Sequence, residues 1–403
     1  MNEQDRIGAR VAAIRKMRGW SGRELARRGQ VSYSLLTKVE SGAAPASPAF
    51  IGAVARAMKI DVTRVTGQPY ESPDSRITAL QAAIEPFRRA LLTYDLPPAT
   101  DMRPRPLAEL RADVSAISVF SRQARYLQLG HRLPPLLEEL QAAIAEAGDS
   151  DRLELYALLA QAYGGGSALA HQLGYLDLRA LTLDRIEWAS RMSGDHLRIA
   201  RTQWSRGASL LGATAYDQGL SLMERTRASL GHDIGHMDEA TRSVYGSLHL
   251  RSAVLAARAG RRQQSDSHLA AARDIAAAVP EAANHYGMEF GPANVGLHEV
   301  SAAVEMADGT LAITRATRME ARDHLTVLPP ERIGHYQIEL ARGWLYHGDR
   351  QRALRVLRSA RRVSPQQVRN HPMVRETVRA IAHAEPRPSN DLRSFASWLG
   401  IEF

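Results

Sequence analysis

The sequence predicts an all-α protein, in which a small bundle of short helices precedes a long series of helix pairs. Residues 1–67 divide into short amphipathic segments separated by capping residues and glycines. From Leu107 onward, apolar residues recur at helical spacing to Ala384 with no alternating strand pattern. Because 403 residues exceed one ordinary core, we expect a small domain over residues 1–67, a linker with a connecting helix over 68–106, and a helical domain over 107–403.

Positive charge is concentrated at the start of the chain. Residues 1–67 contain 12 Lys and Arg against 5 Asp and Glu, whereas the remainder is nearly neutral. A polyanionic partner is therefore expected for residues 1–67. The absence of cysteine excludes disulfides and thiol catalysis. Since the sequence has neither a long apolar stretch nor a signal-peptide core, we expect a soluble, cytoplasmic protein with no membrane partner.

The first predicted helices lie before and within Ser21–Gly42. Apolar residues spaced three or four apart from Ile7 to Met17 indicate an amphipathic helix. Ser21 is expected to cap a second helix, with Glu24 completing a capping box. Leu25 and Ala26 are expected to face inward, and Gly29 to supply the left-handed residue that ends this helix.

A third helix follows directly. Ser32 is expected to cap it, Leu35, Leu36 and Val39 to form its buried side, and Gly42 to end it. Its outward side chains would be small, polar or basic, which suits a helix in the DNA major groove. The expected contact residues are Ser32, Tyr33, Ser34, Thr37 and Lys38. Two further helices, from Phe50 to Met58 and over Val62–Thr66, complete the small bundle.

This stretch resembles the helix-turn-helix domain of the XRE (Cro/phage-repressor-type) family, notably in its Leu-Ala pair and its Glu-Ser-Gly ending. The resemblance implies an ion pair between Arg15 and Glu40 and binding to a double-stranded DNA operator. The family usually has Gln, which grips a phosphate, where this chain has Gly22. Arg23 or the N–H groups at the helix N-terminus are therefore expected to take that role. Abundant Arg and Ala with little Lys are typical of high-GC bacterial genomes.

The long C-terminal part has the marks of a repeat. Prolines in Gln68–Ser75 and Leu96–Pro106 indicate extended segments on either side of a connecting helix over Ile77–Thr93. The helices beyond Leu107 are expected to be separated by short turns. These turns are predicted at Gly130–Pro135, Gly148–Asp151, Ser193–Asp195, Gly231–Met237, Gly260, Gly309, Pro329–Pro330, Gly348 and Pro365.

Two helix pairs resemble the tetratricopeptide pattern, in which small residues let antiparallel helices pack closely. The clearer one has Ala341, Gly348, Ala353 and Ala360 in register, and the other is centred on Gly260. The fold expected is therefore an α-solenoid of tetratricopeptide-like helix pairs. Together with the N-terminal motif, this resembles actinobacterial XRE regulators with tetratricopeptide-like sensor domains.

The segment from His285 to His298 is unusually rich in aromatic residues, His and Gly for a solenoid. Counting back from the turn at Ala307 places Asn294 on the inner face of a helix, where an Asn can pair with a peptide's N–H and C=O together. A capped loop with structural glycines is the alternative. The expected effector contacts are Asn294, Tyr286, Glu289, His298, Thr202, Ser205, Ser209, His335 and Arg342.

The remaining motifs do not indicate a metal site or an active site. His232 and His236 have a metal-ligand spacing, but Gly231 and Gly235 favour an exposed loop. No phosphate loop, nucleophile elbow or metalloprotease motif is present. We therefore expect no metal, no cofactor and no enzymatic activity.

The function expected is a sequence-specific transcriptional regulator that binds its operator as a homodimer and senses a peptide or small-molecule effector. The alternative is an antitoxin-like or scaffold protein whose repeats bind a protein partner, with DNA binding secondary. A flat apolar concave face would favour that alternative, whereas converging polar groups would favour an effector.

Overall fold

A computed structural model describes residues 7–69, 80–96, 103–231, 233–280, 283–320, 324–385 and 387–401. Throughout these ranges the chain is helical and contains no strand, so the predicted fold class is confirmed. No helix in these ranges is both long and apolar enough to cross a lipid bilayer.

Five short helices form the N-terminal bundle, which we call the head. They are α1 (Ile7–Met17), α2 (Gly22–Gly29), α3 (Tyr33–Glu40), α4 (Pro48–Ala57) and α5 (Val62–Thr66). Serine or aspartate side chains cap four of them: Ser21, Ser32, Ser47 and Asp61 each accept a backbone N–H of the first turn. Leu25, Leu36 and Ile51 are fully buried in the single core of the head.

Two expectations for the head are wrong. Leu35 is 37 % exposed, because the buried stripe of α3 runs through Leu36 and Val39, three residues apart, and Leu35 lies to one side of it. The left-handed residue after α2 is Gln30, with φ 54°, rather than Gly29. The helix continues through Gly29, so the chain reverses one residue later than the glycine suggested.

The remaining helices form the body. In order they are α6 (Ile84–Leu92), α7 (Leu107–Arg122), α8 (Tyr126–Glu146), α9 (Asp149–Leu173), α10 (Leu176–Met192), α11 (His196–Gly212), α12 (Tyr216–Ser229), α13 (Glu239–Arg258), α14 (Arg262–Ala276), α15 (Pro292–Glu305), α16 (Gly309–Glu320), α17 (Pro330–His347), α18 (Arg350–Val363), α19 (Pro365–Asn370), α20 (Pro372–Ala384) and α21 (Asn390–Leu399). Consecutive helices pack as pairs, which gives the expected solenoid.

Small residues allow the pairs to approach closely. Ala341, Ala353 and Ala360 are fully buried between α17 and α18, and Gly348 turns the chain with φ 99°. The predicted connecting helix corresponds to α6, which packs into the same core as α7–α10. The predicted linker residues 70–75 and 97–102 lie outside the described ranges, and the domain boundaries stay a prediction.

The turn predicted at Gly130–Pro135 is wrong. Helix α8 continues through Pro134 and Pro135 to Glu146. A proline inside a helix removes a backbone donor and costs about 3 kcal/mol. Here Leu133 and Leu137 are fully buried in the largest core, and burial of these side chains offsets the local cost.

The solenoid closes on itself through α19. Gln172 on α9 donates to the Gln367 carbonyl at 2.9 Å, and the Leu127 N–H on α8 donates to Gln366 at 3.0 Å. The head is tied to the same helix, since Gln68 donates to the Asn370 carbonyl at 2.9 Å. Just beyond α19, Met373 packs into the core of the head. The contacts that close the body and the contacts that hold the head therefore involve the same short segment of the chain.

Candidate nucleic-acid interface

The first and third helices of the head are fixed by an ion pair. Arg15 donates to both carboxylate oxygens of Glu40, at 2.8 and 2.7 Å, and to the Trp20 carbonyl at 2.8 Å. The two side chains are 13 % and 15 % exposed. The hydrogen bonds to Glu40 raise the pKa of Arg15. This pair joins α1 to the end of α3 and fixes the direction in which α3 presents its outer face.

That outer face is open to solvent. Ser32, Tyr33, Ser34, Thr37 and Lys38 are all exposed. Two of them are engaged in the helix itself: the Ser32 hydroxyl accepts the Leu35 N–H at 3.1 Å, and the Thr37 hydroxyl donates to the Tyr33 carbonyl at 3.0 Å. Ser34 and Lys38 have no such engagement among the described residues. Tyr33, Ser34 and Lys38 are therefore the side chains most available to a ligand.

The glycine at the position where the family has glutamine has a local explanation. A Cβ added to Gly22 would lie 3.0 Å from Cε2 of Tyr33, so the tyrosine ring occupies the space beside it. The guanidinium of Arg23 lies 5.8 Å from the centre of the same ring and is exposed. The start of α2 thus presents a cation and an aromatic ring next to α3.

Several other cations of the head are engaged within it. Arg27 and Arg28 both pair with Glu24, and these pairs lower the pKa of Glu24. Glu24 is therefore occupied by arginines; the capping box expected with Ser21 is seen only from the serine side. Arg10 donates to the Val65 carbonyl at 2.9 Å. Arg23 and Lys38 are left as the cations nearest the open face of α3 without an acidic partner among the described residues.

Four of the predicted effector contacts are engaged within the body. Asn294 is 2 % exposed and donates to the Met288 carbonyl at 3.2 Å, which holds the loop before α15. Tyr286 donates to Asp195 at 3.0 Å, and Glu289 pairs with Arg122. Arg342 pairs with Glu339 at 2.8 Å inside the body. These four side chains are engaged in the protein's own structure.

The other predicted contacts divide between packing and the interior. Thr202 and Ser205 are buried on α11, where Thr202 donates to the Arg198 carbonyl at 2.9 Å, and Ser209 is half-buried. His298 and His335 are half-buried and close enough for His335 to lower the pKa of His298. Arg332 and Arg251 also lower the pKa of His298. His232 lies outside the described residues.

One half-buried arginine of the body could have been found from the sequence. Helix α13 is buried on nearly all sides and rich in Ala, Leu and Ser, yet it contains Arg251. A charged residue in such a helix is rare unless it is paired or functional.

Comparison with known proteins supports the assignment of the head alone. Residues 6–65 match the family model of a helix-turn-helix domain. No curated protein and no solved structure matches the chain. The chain thus has an XRE-like helix-turn-helix domain followed by helical repeats, and this supports a DNA-binding regulator. The tetratricopeptide-like character of the repeats and the actinobacterial origin stay predictions.

Proposed function

We propose that this chain is a sequence-specific transcriptional regulator that binds operator DNA through α3 and senses a peptide or small-molecule signal in its helical body. The observation that carries the proposal is the open outer face of α3, beside Arg23 and Lys38, two cations without an acidic partner among the described residues. An enzymatic role is not part of the proposal.

The division of contacts follows from side-chain chemistry. Arg23 and the first N–H groups of α2 are suited to a phosphate, because a helix N-terminus and a guanidinium both favour anions. Ser34 and Lys38 on α3 are placed to reach base edges, with Tyr33 beside them. Gly22 has no side chain, so it contributes only its backbone N–H, as one of the first N–H groups of α2. Phosphates therefore set the position of the head, and α3 reads the sequence.

A homodimer is part of the proposal. A single head of about sixty residues buries too little surface for operator-grade affinity. Two heads reading half-sites ~34 Å apart would supply it.

The contact between the head and the body supports a sensing role. Met373 enters the core of the head, and Gln68 bonds to α19, the helix that closes the solenoid. A ligand that favours one arrangement of the closure would therefore bias the position of the head. Converging polar groups in the body would favour an effector, whereas a flat apolar concave face would favour the alternative of a scaffold.

The test is selection of a binding sequence from random duplex DNA, followed by titration with salt. Phosphate contacts predict a linear fall of log K with log salt, and Arg23→Ala should reduce the slope by about 0.9 for each phosphate that the variant no longer neutralises. Lys38→Ala should weaken binding to the selected sequence, because it removes a contact to base edges. Arg362→Ala removes one exposed charge from α18 and serves as the matched control, with wild-type affinity expected. A flat salt dependence, or wild-type affinity in both head variants, would contradict the proposal.

A further inference from the structure

A cavity of about 270 Å³ lies between the first half of α11 and the end of α12. From α11 it is lined by side chains spaced three or four residues apart, which share one face of the helix: His196, Ile199, Ala200 and Gln203. The end of α12 contributes Arg225, Thr226, Ser229 and the next residue, Leu230. The volume is close to the ~300 Å³ at which small-molecule pockets begin.

The cavity lies where a small side chain leaves room between the two helices. A Cβ added to Gly207 on α11 would be 2.9 Å from Cε of Met223 on α12, so the helices are in close contact there. Seven residues earlier, on the same face of α11, Ala200 has only a methyl group to fill the space. Ala200 and Thr226 are 3 % and 6 % exposed, and they form the floor of the cavity.

The inner part of the cavity offers apolar contact. Ile199 and Leu230 are half-buried and lie beside the methyl group of Ala200 on its wall. The polar side chains at this depth have partners of their own. The Thr226 hydroxyl donates to the Leu222 carbonyl at 2.8 Å, and Oε1 of Gln203 accepts from an arginine at 3.2 Å. An apolar group therefore fits this part of the cavity.

The rim is polar and open to solvent. His196, Arg225 and Ser229 are exposed. The Ser229 hydroxyl donates to the Thr226 carbonyl at 2.8 Å and keeps a free lone pair. Arg225 forms neither an ion pair nor a hydrogen bond within the described ranges of the chain. Its guanidinium is thus a cation at the mouth of the cavity that is available to a ligand.

The carboxylates around the cavity are engaged elsewhere. Asp195 caps α11 by accepting two of its backbone N–H groups, at 3.0 and 3.1 Å. Asp238 caps α13 through the Thr241 N–H at 2.7 Å, and Glu224 pairs with Arg227. None of these three carboxylates lines the cavity. The permanent charge on the cavity wall is therefore the positive charge of Arg225.

We propose that this cavity binds a small carboxylic acid with a short apolar body, which lies between Ile199 and Leu230 while the carboxylate pairs with Arg225. A guanidinium matches a carboxylate in geometry as well as charge. One guanidinium balances the single charge of a carboxylate, whereas a phosphate monoester has a charge of about −1.5 to −2. Burial of the apolar body against the floor adds to the affinity.

The ligand's role as a signal rests on the function proposed above, whereas its binding does not. Helix α11 runs from the cavity to the head. A Cβ added to Gly212 at its end would be 2.2 Å from the carboxylate of Asp61, which caps α5. A ligand that shifts α11 relative to α12 would therefore displace the end of the helix that contacts the head.

The test is a ligand-observed NMR titration of the full chain with hexanoate, and with acetate and 1-hexanol as partial probes. Hexanoate has both the carboxylate and the apolar body, whereas acetate lacks the body and 1-hexanol lacks the charge. We expect saturable binding of hexanoate and about tenfold weaker binding, or less, of each partial probe. No saturable binding of hexanoate, or equally tight binding of either partial probe, would overturn the proposal.

Two variants test the two parts of the site. Arg225→Gln should weaken hexanoate binding about tenfold and leave 1-hexanol binding unchanged, because only the charge is lost. Arg362→Gln, at an exposed arginine of α18, is the matched control and should bind hexanoate like the wild type. Ala200→Leu should fill the cavity and abolish binding of hexanoate and 1-hexanol without lowering the unfolding midpoint.

Two results with these variants would overturn the proposal. One is an equal weakening of hexanoate binding in Arg362→Gln and Arg225→Gln. The other is a large drop in the unfolding midpoint of Ala200→Leu, which would show that no space exists beside that residue.

The head variant Lys38→Ala distinguishes this proposal from the function proposed above. It should lose DNA affinity and retain hexanoate binding, whereas Arg225→Gln without ligand should retain DNA affinity. Failure of the wild type to select any DNA sequence would refute the proposed function and leave hexanoate binding intact.

Discussion

Ser32 and Ser34 are close neighbours in α3 with different surroundings. Ser32 accepts the Leu35 N–H at 3.1 Å and caps the helix. Ser34 is exposed and has no bond of this kind among the described residues. The Ser32 hydroxyl therefore stabilises the helix, whereas the Ser34 hydroxyl is available to contact DNA.

Substitution of each serine by alanine should separate these roles. Ser32→Ala should lower the free energy of unfolding of the head by about 1 kcal/mol, the usual cost of losing a helix cap. Ser34→Ala should leave stability within about 0.5 kcal/mol of the wild type and weaken operator binding by about 1 kcal/mol, the value of one hydrogen bond. Urea unfolding and DNA titration of both variants measure the two effects. Equal loss of stability in both variants would contradict this assignment.

The helical pattern predicted most of what α3 exposes, because its polar residues and its Leu36–Val39 stripe repeat at the helical period. It failed for Leu35, where an apolar side chain lies beside the stripe. Closure of the solenoid by α19 could not be predicted in the same way. It depends on contacts between residues nearly two hundred positions apart, such as Gln172 and Gln367. Contact of any of these residues with DNA or an effector stays a prediction.

At the scale of elements, close packing depends on residues without side chains. Gly246 on α13 faces Phe290, which is fully buried, and an added Cβ would lie 2.0 Å from Cζ of that ring. Gly52, in the middle of α4, has no atom within 4 Å of such a Cβ. Two helical glycines therefore differ in what an alanine would meet.

Gly246→Ala should lower the free energy of unfolding by about 1–3 kcal/mol, since the ring or α13 must move to admit the methyl group. Gly52→Ala is the matched control and should raise it by up to about 1 kcal/mol, because alanine favours the helix. Urea midpoints of both variants test this difference. A Gly246→Ala protein as stable as Gly52→Ala would show that Phe290 does not pack where the structure places it.

Helix boundaries were predictable where glycine or proline marks them, as at Gly348. They were missed where other residues adopt the left-handed conformation, as Ala124 does between α7 and α8 and Thr214 between α11 and α12. Pro134 gave the opposite error, since burial of its neighbours kept α8 intact. At Pro134 tertiary packing outweighed the local preference, and a single sequence does not reveal it.

At the scale of the whole molecule, the head and the body differ in their histidine content. Residues 1–67 contain none, whereas the body holds several whose pKa is low. Burial lowers the pKa of His298 to about 3, with the charge of Arg332 as the second cause. Burial likewise lowers the pKa of His371 to about 3, with His335 as the second cause. In the unfolded chain a histidine has a pKa of about 6.5. The folded body therefore keeps these rings neutral at a pH where the unfolded chain binds protons.

The body should consequently lose stability to acid before the head does. The stabilising contribution is complete above about pH 6.5 and falls as the pH drops towards the folded pKa, by on the order of 1 kcal/mol per histidine at about pH 5.5. Hydrogen exchange at neutral and mildly acidic pH should show protection reduced in α15 and α20 while α1–α3 retain theirs.

His298→Gln should make this reduction smaller, whereas His383→Gln, exposed at the end of α20, should not. If α1–α3 lost protection first, the histidines of the body would not be the groups that govern its response to acid.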